Sequence, residues 1–225
     1  MSHFSASALE QLIADARVPG LSMAIVRDGQ ATTRITAGVR NSHDRIAVDP
    51  QTVFAAASLS KPLFAYCVLR LVGAGKLTLD ARLSQYVPDY VADDPRAATI
   101  TIRHVLSNTS GLPNWRSAEH PLKTVPGERF SYSGEGFVWL QRVVESVTGE
   151  DLDTTIRRLI FEPLGMNRSS YVWQSAFETN HAAPHDAEEK PGTTIRRLVP
   201  NSAASLLTTA EDYALLLTAV LSGTG

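Results

Sequence analysis

The sequence predicts an α+β protein in which one helix and an antiparallel hairpin precede a largely helical remainder. Three observations predict it. Leu9, Leu12, Ile13 and Ala16 recur at helical spacing near the N-terminus. Two runs rich in strand formers, 21–27 and 30–39, flank Asp28-Gly29, a dipeptide suited to the tight turn that reverses antiparallel strands. Beyond a turn-rich stretch at 41–52, apolar residues recur at helical spacing in segment after segment.

The first helix is expected over about residues 5–17, because Pro19-Gly20 stops the pattern. In the second strand Thr33, Ile35, Ala37 and Val39 share one face, and Thr32, Arg34 and Thr36 share the other. That alternation predicts a sheet with one buried face. Further helices are expected at 60–74, 101–108, 135–148, 152–161 and 209–222. In the last, Tyr213, Leu216, Leu217, Val220 and Leu221 form the apolar stripe, Thr209 supplies the cap, and Glu211 and Asp212 bring first-turn charge. Loops at 109–130 and 165–205 are rich in Pro, Gly, Ser and Asn, and loops of that length in compact domains are often binding surfaces.

Composition narrows the function. The 225 residues are 44% hydrophobic and 20% charged, enough to bury a sizeable core. The net charge of -2 comes from 21 basic and 23 acidic residues without the basic clustering that phosphate backbones require, which excludes nucleic acid as a partner. The most apolar run, 63–74, is broken by Arg70 and falls short of the roughly 20 residues of a membrane span. Met1-Ser2-His3-Phe4 leads straight into the first helix without the pattern of a signal peptide, so the expected location is cytoplasmic, or periplasmic if an export signal has been removed. Cys67 is the single cysteine and reads as a small core residue.

One spacing carries chemistry. Ser58-Leu59-Ser60-Lys61 falls where the apolar run 53–57 gives way to a helix with Pro62 in its first turn, where proline is tolerated. Residues three apart share a helix face, so the Lys61 amine projects beside the Ser58 hydroxyl at the positive end of the helix dipole. A serine hydroxyl becomes a good nucleophile only when a neighbour takes its proton, and a neutral lysine amine can do so. Ser and Lys three apart also arise by chance about once in a few hundred residues. This is the one such pair in the chain, and it sits at a strand-to-helix transition.

The sequence also resembles a known family. The match runs in order through Val18-Pro19-Gly20-Leu21-Ser22, Ser58-Leu59-Ser60-Lys61, the segment from His104 to Leu112, Phe130-Ser131-Tyr132-Ser133-Gly134, Val147-Thr148-Gly149 and Pro163-Leu164-Gly165-Met166. Together these resemble the serine β-lactamase-related hydrolases: class C β-lactamases, D-alanyl-D-alanine peptidases, D-amino-acid peptidases and the esterases of that fold. The resemblance implies an antiparallel sheet flanked by terminal helices and packed on an all-helical region. It divides the chain into a helix and hairpin at 1–55, a mostly helical region with the nucleophile at 56–205, and a helix returning to the sheet at 206–225. By the same resemblance Ser58 is the nucleophile, Lys61 its general base and Tyr132 the phenol that exchanges a proton with nucleophile or leaving group. A nearby ammonium favours a tyrosine's phenolate and lets it act as a base.

Two departures from the family pattern matter. The tyrosine motif usually ends in an asparagine whose amide helps hold the substrate, whereas this chain has Gly134, which favours esters or small amides over β-lactams. A third motif, Lys or His followed by a small residue and Gly, lies in the family on a later strand that also supplies an oxyanion donor. The sequence ends at Gly225 before any such strand. Loss of one oxyanion donor costs about 3 to 4 kcal/mol. The expectation is that the natural chain continues, or that a second chain or a symmetry mate completes the sheet, since a lone hairpin is marginal in water.

The leading expectation is thus a serine hydrolase acting on a small-molecule ester, amide or β-lactam, with no metal or organic cofactor. The competing one is a truncated or non-turnover protein that captures a penicillin or peptidoglycan-like ligand, and the third is a helical scaffold with a chance motif. Trp115, in the loop after Gly111-Leu112-Pro113, is the candidate for contacting an acyl group, while Trp139 on a periodic helix reads as core. His104 is expected to pack or cap within its short helix, His181 and His185 to be loop residues, and Gly73-Ala74-Gly75-Lys76 to be a helix stop.

Overall fold

A computed structural model describes residues 6–116 and 122–223, and its architecture is α+β. The chain forms two compact units interleaved in sequence: one from 1–56, 161–198 and 207–225, the other from 57–160 and 199–206.

The first unit is built on the expected hairpin. Strands β1 (Gly20–Arg27) and β2 (Gln30–Gly38) pair antiparallel from Gly20 opposite Gly38 to Arg27 opposite Gln30. Asp28 (φ 52°) and Gly29 (φ 70°) both adopt positive φ, the geometry whose twist matches that of the flanking strands. Helix α1 (Ala6–Asp15) packs on β2 through Leu9 and Ile13. Leu12 and Ala16, expected on the same face, are exposed. Gly38 (φ 70°) is fixed by close approach, because a Cβ there would lie 2.2 Å from the Pro19 carbonyl oxygen.

The short strands β3 (Phe54–Ala57) and β4 (Leu206–Thr208) form a second sheet, and β4 was not legible as a strand. Leu207 packs with Val53, Phe177 and Trp173. His181 and His185, expected in loops, serve structure: His181 Nδ1 lies 2.9 Å from the Phe177 carbonyl, and His185 Nε2 accepts the Ser42 N–H at 3.1 Å.

In chain order, the helices after α1 are α2 (Ser60–Gly73), α3 (Ile102–Leu106), α4 (Gly134–Thr148), α5 (Leu152–Ile156), α6 (Glu162–Leu164) and α7 (Ala210–Ser222). Helix α7 packs on the hairpin, but with a different face from the one its apolar pattern predicts. Asp212, Leu216 and Ala219 are buried, whereas Leu217, Val220 and Leu221 are exposed. The rotation is explained by Asp212. Its carboxylate accepts the Arg168 N–H at 2.7 Å and the Ser169 hydroxyl at 2.8 Å, so a charged residue is turned inward.

The second unit is helical at its centre. Helix α2 buries Leu63, Phe64, Cys67, Val68 and Leu71. Burial pushes the Cys67 thiol up to about 12, so it is a core residue rather than a nucleophile. The helix stops as expected: the Ala74 and Gly75 amides close on the Arg70 and Val72 carbonyls, and Gly75 takes φ 70°.

Helix α4 carries Phe137, Trp139, Leu140, Val143 and Val144 into the core. The Trp139 ring stacks on Tyr90 at 5.3 Å. The expected helix at 101–108 contracts to α3, where Thr101 and His104 form a reciprocal cap. The expected helix at 152–161 is α5 followed by a π-helical turn, Arg157–Phe161. Much of the chain between α2 and α4, expected to be helical or open loop, is compact non-repetitive backbone with short 3₁₀ turns at Leu83–Gln85 and Pro95–Thr99.

Candidate active site

All of the candidate catalytic residues lie in the second unit. The site begins with a strained residue. Ala57 ends β3 at φ 45°, a conformation that costs an alanine roughly 1–2 kcal/mol and persists only when its surroundings impose it. Ser60 imposes it. Its fully buried hydroxyl donates to the Ala57 carbonyl at 2.5 Å and accepts the Leu206 N–H at 2.9 Å. The turn between Ala57 and Ser60 leaves Ser58 exposed, just ahead of the first turn of α2.

Lys61 stands on that first turn. Its side chain is carried into the interior, with 5% of the residue exposed. Nζ donates to Ser58 Oγ at 3.1 Å and to the Ala203 carbonyl at 2.8 Å. It also lies 4.7 Å from the centre of the Tyr132 ring and 5.9 Å from that of Phe137. A carbonyl and two ring faces orient the amine without pairing it to a carboxylate.

Tyr132 lies on the short segment before α4, partly exposed. Partial burial alone raises its phenol pKa. Hydrogen bonding with Lys61 and Ser58, together with the Lys61 charge, outweighs that effect and holds the phenol below its ordinary value. Asn108 holds the segment from both sides: its carbonyl accepts the Ser131 N–H at 2.7 Å, and its side-chain oxygen accepts the Ser133 N–H at 3.2 Å. To do so Asn108 takes φ 54°, which asparagine tolerates better than most residues.

Ser58, Lys61 and Tyr132 are therefore brought together. Trp115, 49% exposed, meets the start of α4: its Cη2 lies 3.1 Å from where a Cβ on Gly134 would be, two residues beyond Tyr132. Sequence reasoning missed Ala203, Ser60, Leu206 and Asn108. Ala203 and Leu206 act through backbone groups, which carry no signature in the sequence. Asn108 lay inside the family-like segment from His104 to Leu112 without a role of its own there, and the hint to its geometry was an asparagine closing a short helix. Among the described residues, no group of three or more His, Cys, Asp or Glu could hold a metal ion, and no helix is long and apolar enough to cross a membrane.

A family model described as Beta-lactamase matches residues 6–224. Penicillin-binding protein 4 of Amycolatopsis lactamdurans is 31% identical over 226 aligned positions, which cover 87% of this chain and 57% of that protein. Esterase EstB of Burkholderia gladioli is 30% identical over 218 positions, covering 81% of this chain and 54% of the esterase. Among solved structures, the octameric penicillin-binding protein homologue from Pyrococcus abyssi aligns with a TM-score of 0.79 and 26% identity, covering 97% of this chain and 56% of that one. The chain spans little more than half the length of these relatives.

Proposed function

We propose, given that this chain belongs to the beta-lactamase family of serine hydrolases, that it cleaves a small ester or amide through an acyl-enzyme on Ser58. The observation that carries this reading is the meeting of a serine hydroxyl, a lysine amine 3.1 Å away and a phenol held below its ordinary pKa.

Lys61, in its amine form, takes the Ser58 proton as Oγ attacks the substrate carbonyl carbon. The resulting oxyanion faces the Ser58 backbone N–H, an electrostatic role typically worth about 3 to 4 kcal/mol per donor. Tyr132 relays the proton from Lys61 to the departing oxygen or nitrogen, the bond to the leaving group breaks, and the acyl group remains on Oγ. Water then attacks the ester so formed, giving its proton to the Lys61 amine regenerated by that relay, and the proton passes back through Tyr132 to Oγ as the acyl–Oγ bond breaks and Ser58 is released. Trp115 is assigned to the acyl group of the substrate.

A second reading is a protein that captures a penicillin-like or peptidoglycan-like ligand without turnover. It is favoured by the 31% identity to a relative named for penicillin binding. Intact-mass measurement after exposure to a fluorophosphonate tests both readings. One adduct, lost in Ser58→Ala, combined with multiple turnovers of a p-nitrophenyl ester supports the hydrolase. An adduct without turnover supports capture, and labelling that persists in Ser58→Ala sinks the assignment of the nucleophile.

A further inference from the structure

Residues 113–116 cross the first turn of α4 as a strap held by four hydrogen bonds. The Ser133 hydroxyl donates to the Pro113 carbonyl at 2.9 Å, the Gly134 N–H to Asn114 Oδ1 at 3.0 Å, the Glu135 N–H to the Asn114 carbonyl at 2.9 Å, and the Arg116 N–H to Glu135 Oε2 at 3.2 Å. The anchor is itself buried: Glu135 is 8% exposed and accepts the Tyr90 hydroxyl at 2.7 Å on its other oxygen.

The strap lies this close only because Gly134 has no side chain. A Cβ there would stand 2.7 Å from the Asn114 carbonyl oxygen, 3.1 Å from Asn114 Oδ1 and 3.1 Å from Trp115 Cη2. The first distance is one that real Cβ atoms essentially never show, and the atom met is backbone, which cannot swing aside. Gly134 is not in a positive-φ conformation, so the requirement is for space rather than for backbone freedom.

We infer that Gly134 is a specificity device: by letting the strap seat on α4, it puts the half-exposed Trp115 indole where a side chain two residues after Tyr132 would project. The wall beside the phenol is then aromatic and apolar instead of amide-bearing. Such a wall takes an ester whose acyl group is a medium alkyl chain or an aryl ring, and gives little to a substrate that depends on hydrogen bonds there. This inference rests on the reading of Ser58 as the nucleophile, and names the substrate class for that site.

The test compares p-nitrophenyl acetate with p-nitrophenyl hexanoate on the full chain. Trp115→Ala is expected to lower the hexanoate-to-acetate ratio of kcat/KM about tenfold, the loss expected for removing apolar contact to a few methylenes. Gly134→Ala is expected to lower the same ratio and to speed hydrogen exchange at the Glu135 amide as the strap lifts. An unchanged ratio in Trp115→Ala overturns the inference. So does a Gly134→Ala protein that keeps both its ratio and its protected Glu135 amide. Should Gly134→Ala fail to fold, Trp115→Ala decides alone. If the unaltered chain turns over neither ester, the hydrolase reading fails separately. Calorimetric binding of the two esters to Ser58→Ala then decides this one, with a Kd ratio that Trp115→Ala leaves unmoved counting against it.

Discussion

Replacing Ser60 by alanine removes one oxygen from the turn that carries Ser58, and the structure sets the size of the loss. That oxygen donates to the Ala57 carbonyl and accepts the Leu206 N–H, and both Ser60 and Leu206 are buried. Alanine leaves the Leu206 N–H unmatched where water does not reach, and removes the partner of the carbonyl of the exposed Ala57. Leaving a buried donor unsatisfied costs about 1–3 kcal/mol and losing an ordinary hydrogen bond about 0.5–1.5 kcal/mol, so the two together predict a loss of about 2–4 kcal/mol. Ala57 at φ 45° then has less to hold it, and relief of its roughly 1–2 kcal/mol of strain offsets part of the loss, which keeps the net effect near the lower end of that range. At a urea m-value of about 2 kcal/mol per molar, the unfolding midpoint falls by about 1 M, followed by tryptophan fluorescence. Because the same hydroxyl holds the turn that carries Ser58 toward Lys61, fluorophosphonate labelling slows in parallel under native conditions. A midpoint shift below about 0.25 M, worth roughly 0.5 kcal/mol, would refute the claim that Ser60 fixes this turn.

Further predictions concern other parts of the same unit. Tyr132→Phe removes the phenol that relays a proton to the leaving group, so ester turnover by the unaltered chain falls as pH rises through its lowered pKa and the phenol loses the proton it passes on. The variant loses this limb, and a pH–rate profile of unchanged shape would count against a proton-transfer role. Asn108→Ala frees the Tyr132 segment and strains a φ of 54°. Labelling is expected to slow about tenfold and the Tyr132 phenol to move in an ultraviolet titration, while Asn108→Asp, which keeps a side-chain acceptor, retains most of the rate. Asp94 is held at about 2 by its hydrogen bonds with Arg96, aided by the Leu122 N–H. Its folded pKa lies below the ordinary 3.8, so its stabilisation is present above that value and is lost as pH falls from about 4 to 2. Asp94→Asn is expected to cost about 1 kcal/mol at pH 7, after allowing for screening at the exposed Arg96 end, and to flatten the stability profile in that window. Equal losses at pH 2 and pH 7 would refute it.

The hairpin was legible because every signal for it is local. Asp28-Gly29 specifies the turn, and alternation along β2 specifies its buried face. The nearness of Lys61 to Ser58 was legible for the same reason, since one helical turn sets it. Helix α7 was readable as a helix but not in its rotation, because Asp212 is drawn inward by partners 43 and 44 residues earlier in the chain. The Ala203 and Leu206 contacts were beyond reach on two counts: they span 142 and 146 residues, and a peptide carbonyl or amide looks the same at every position. Gly134 was noticed as a missing amide. Its positive role, making room for Asn114 and Trp115, needed coordinates.

The long reach of Lys61 and Ser60 bears on how the protein is made. Their partners at Ala203 and Leu206 are translated 142 and 146 residues after them. At about 5 to 20 residues per second, the ribosome needs on the order of ten seconds to deliver them. During that interval a nascent chain already carries its serine and lysine one helical turn apart, but not the Ala203 carbonyl and the Leu206 amide that fix the amine and the turn. The turn between Ala57 and Ser60 therefore takes its final form only once synthesis has passed Leu206.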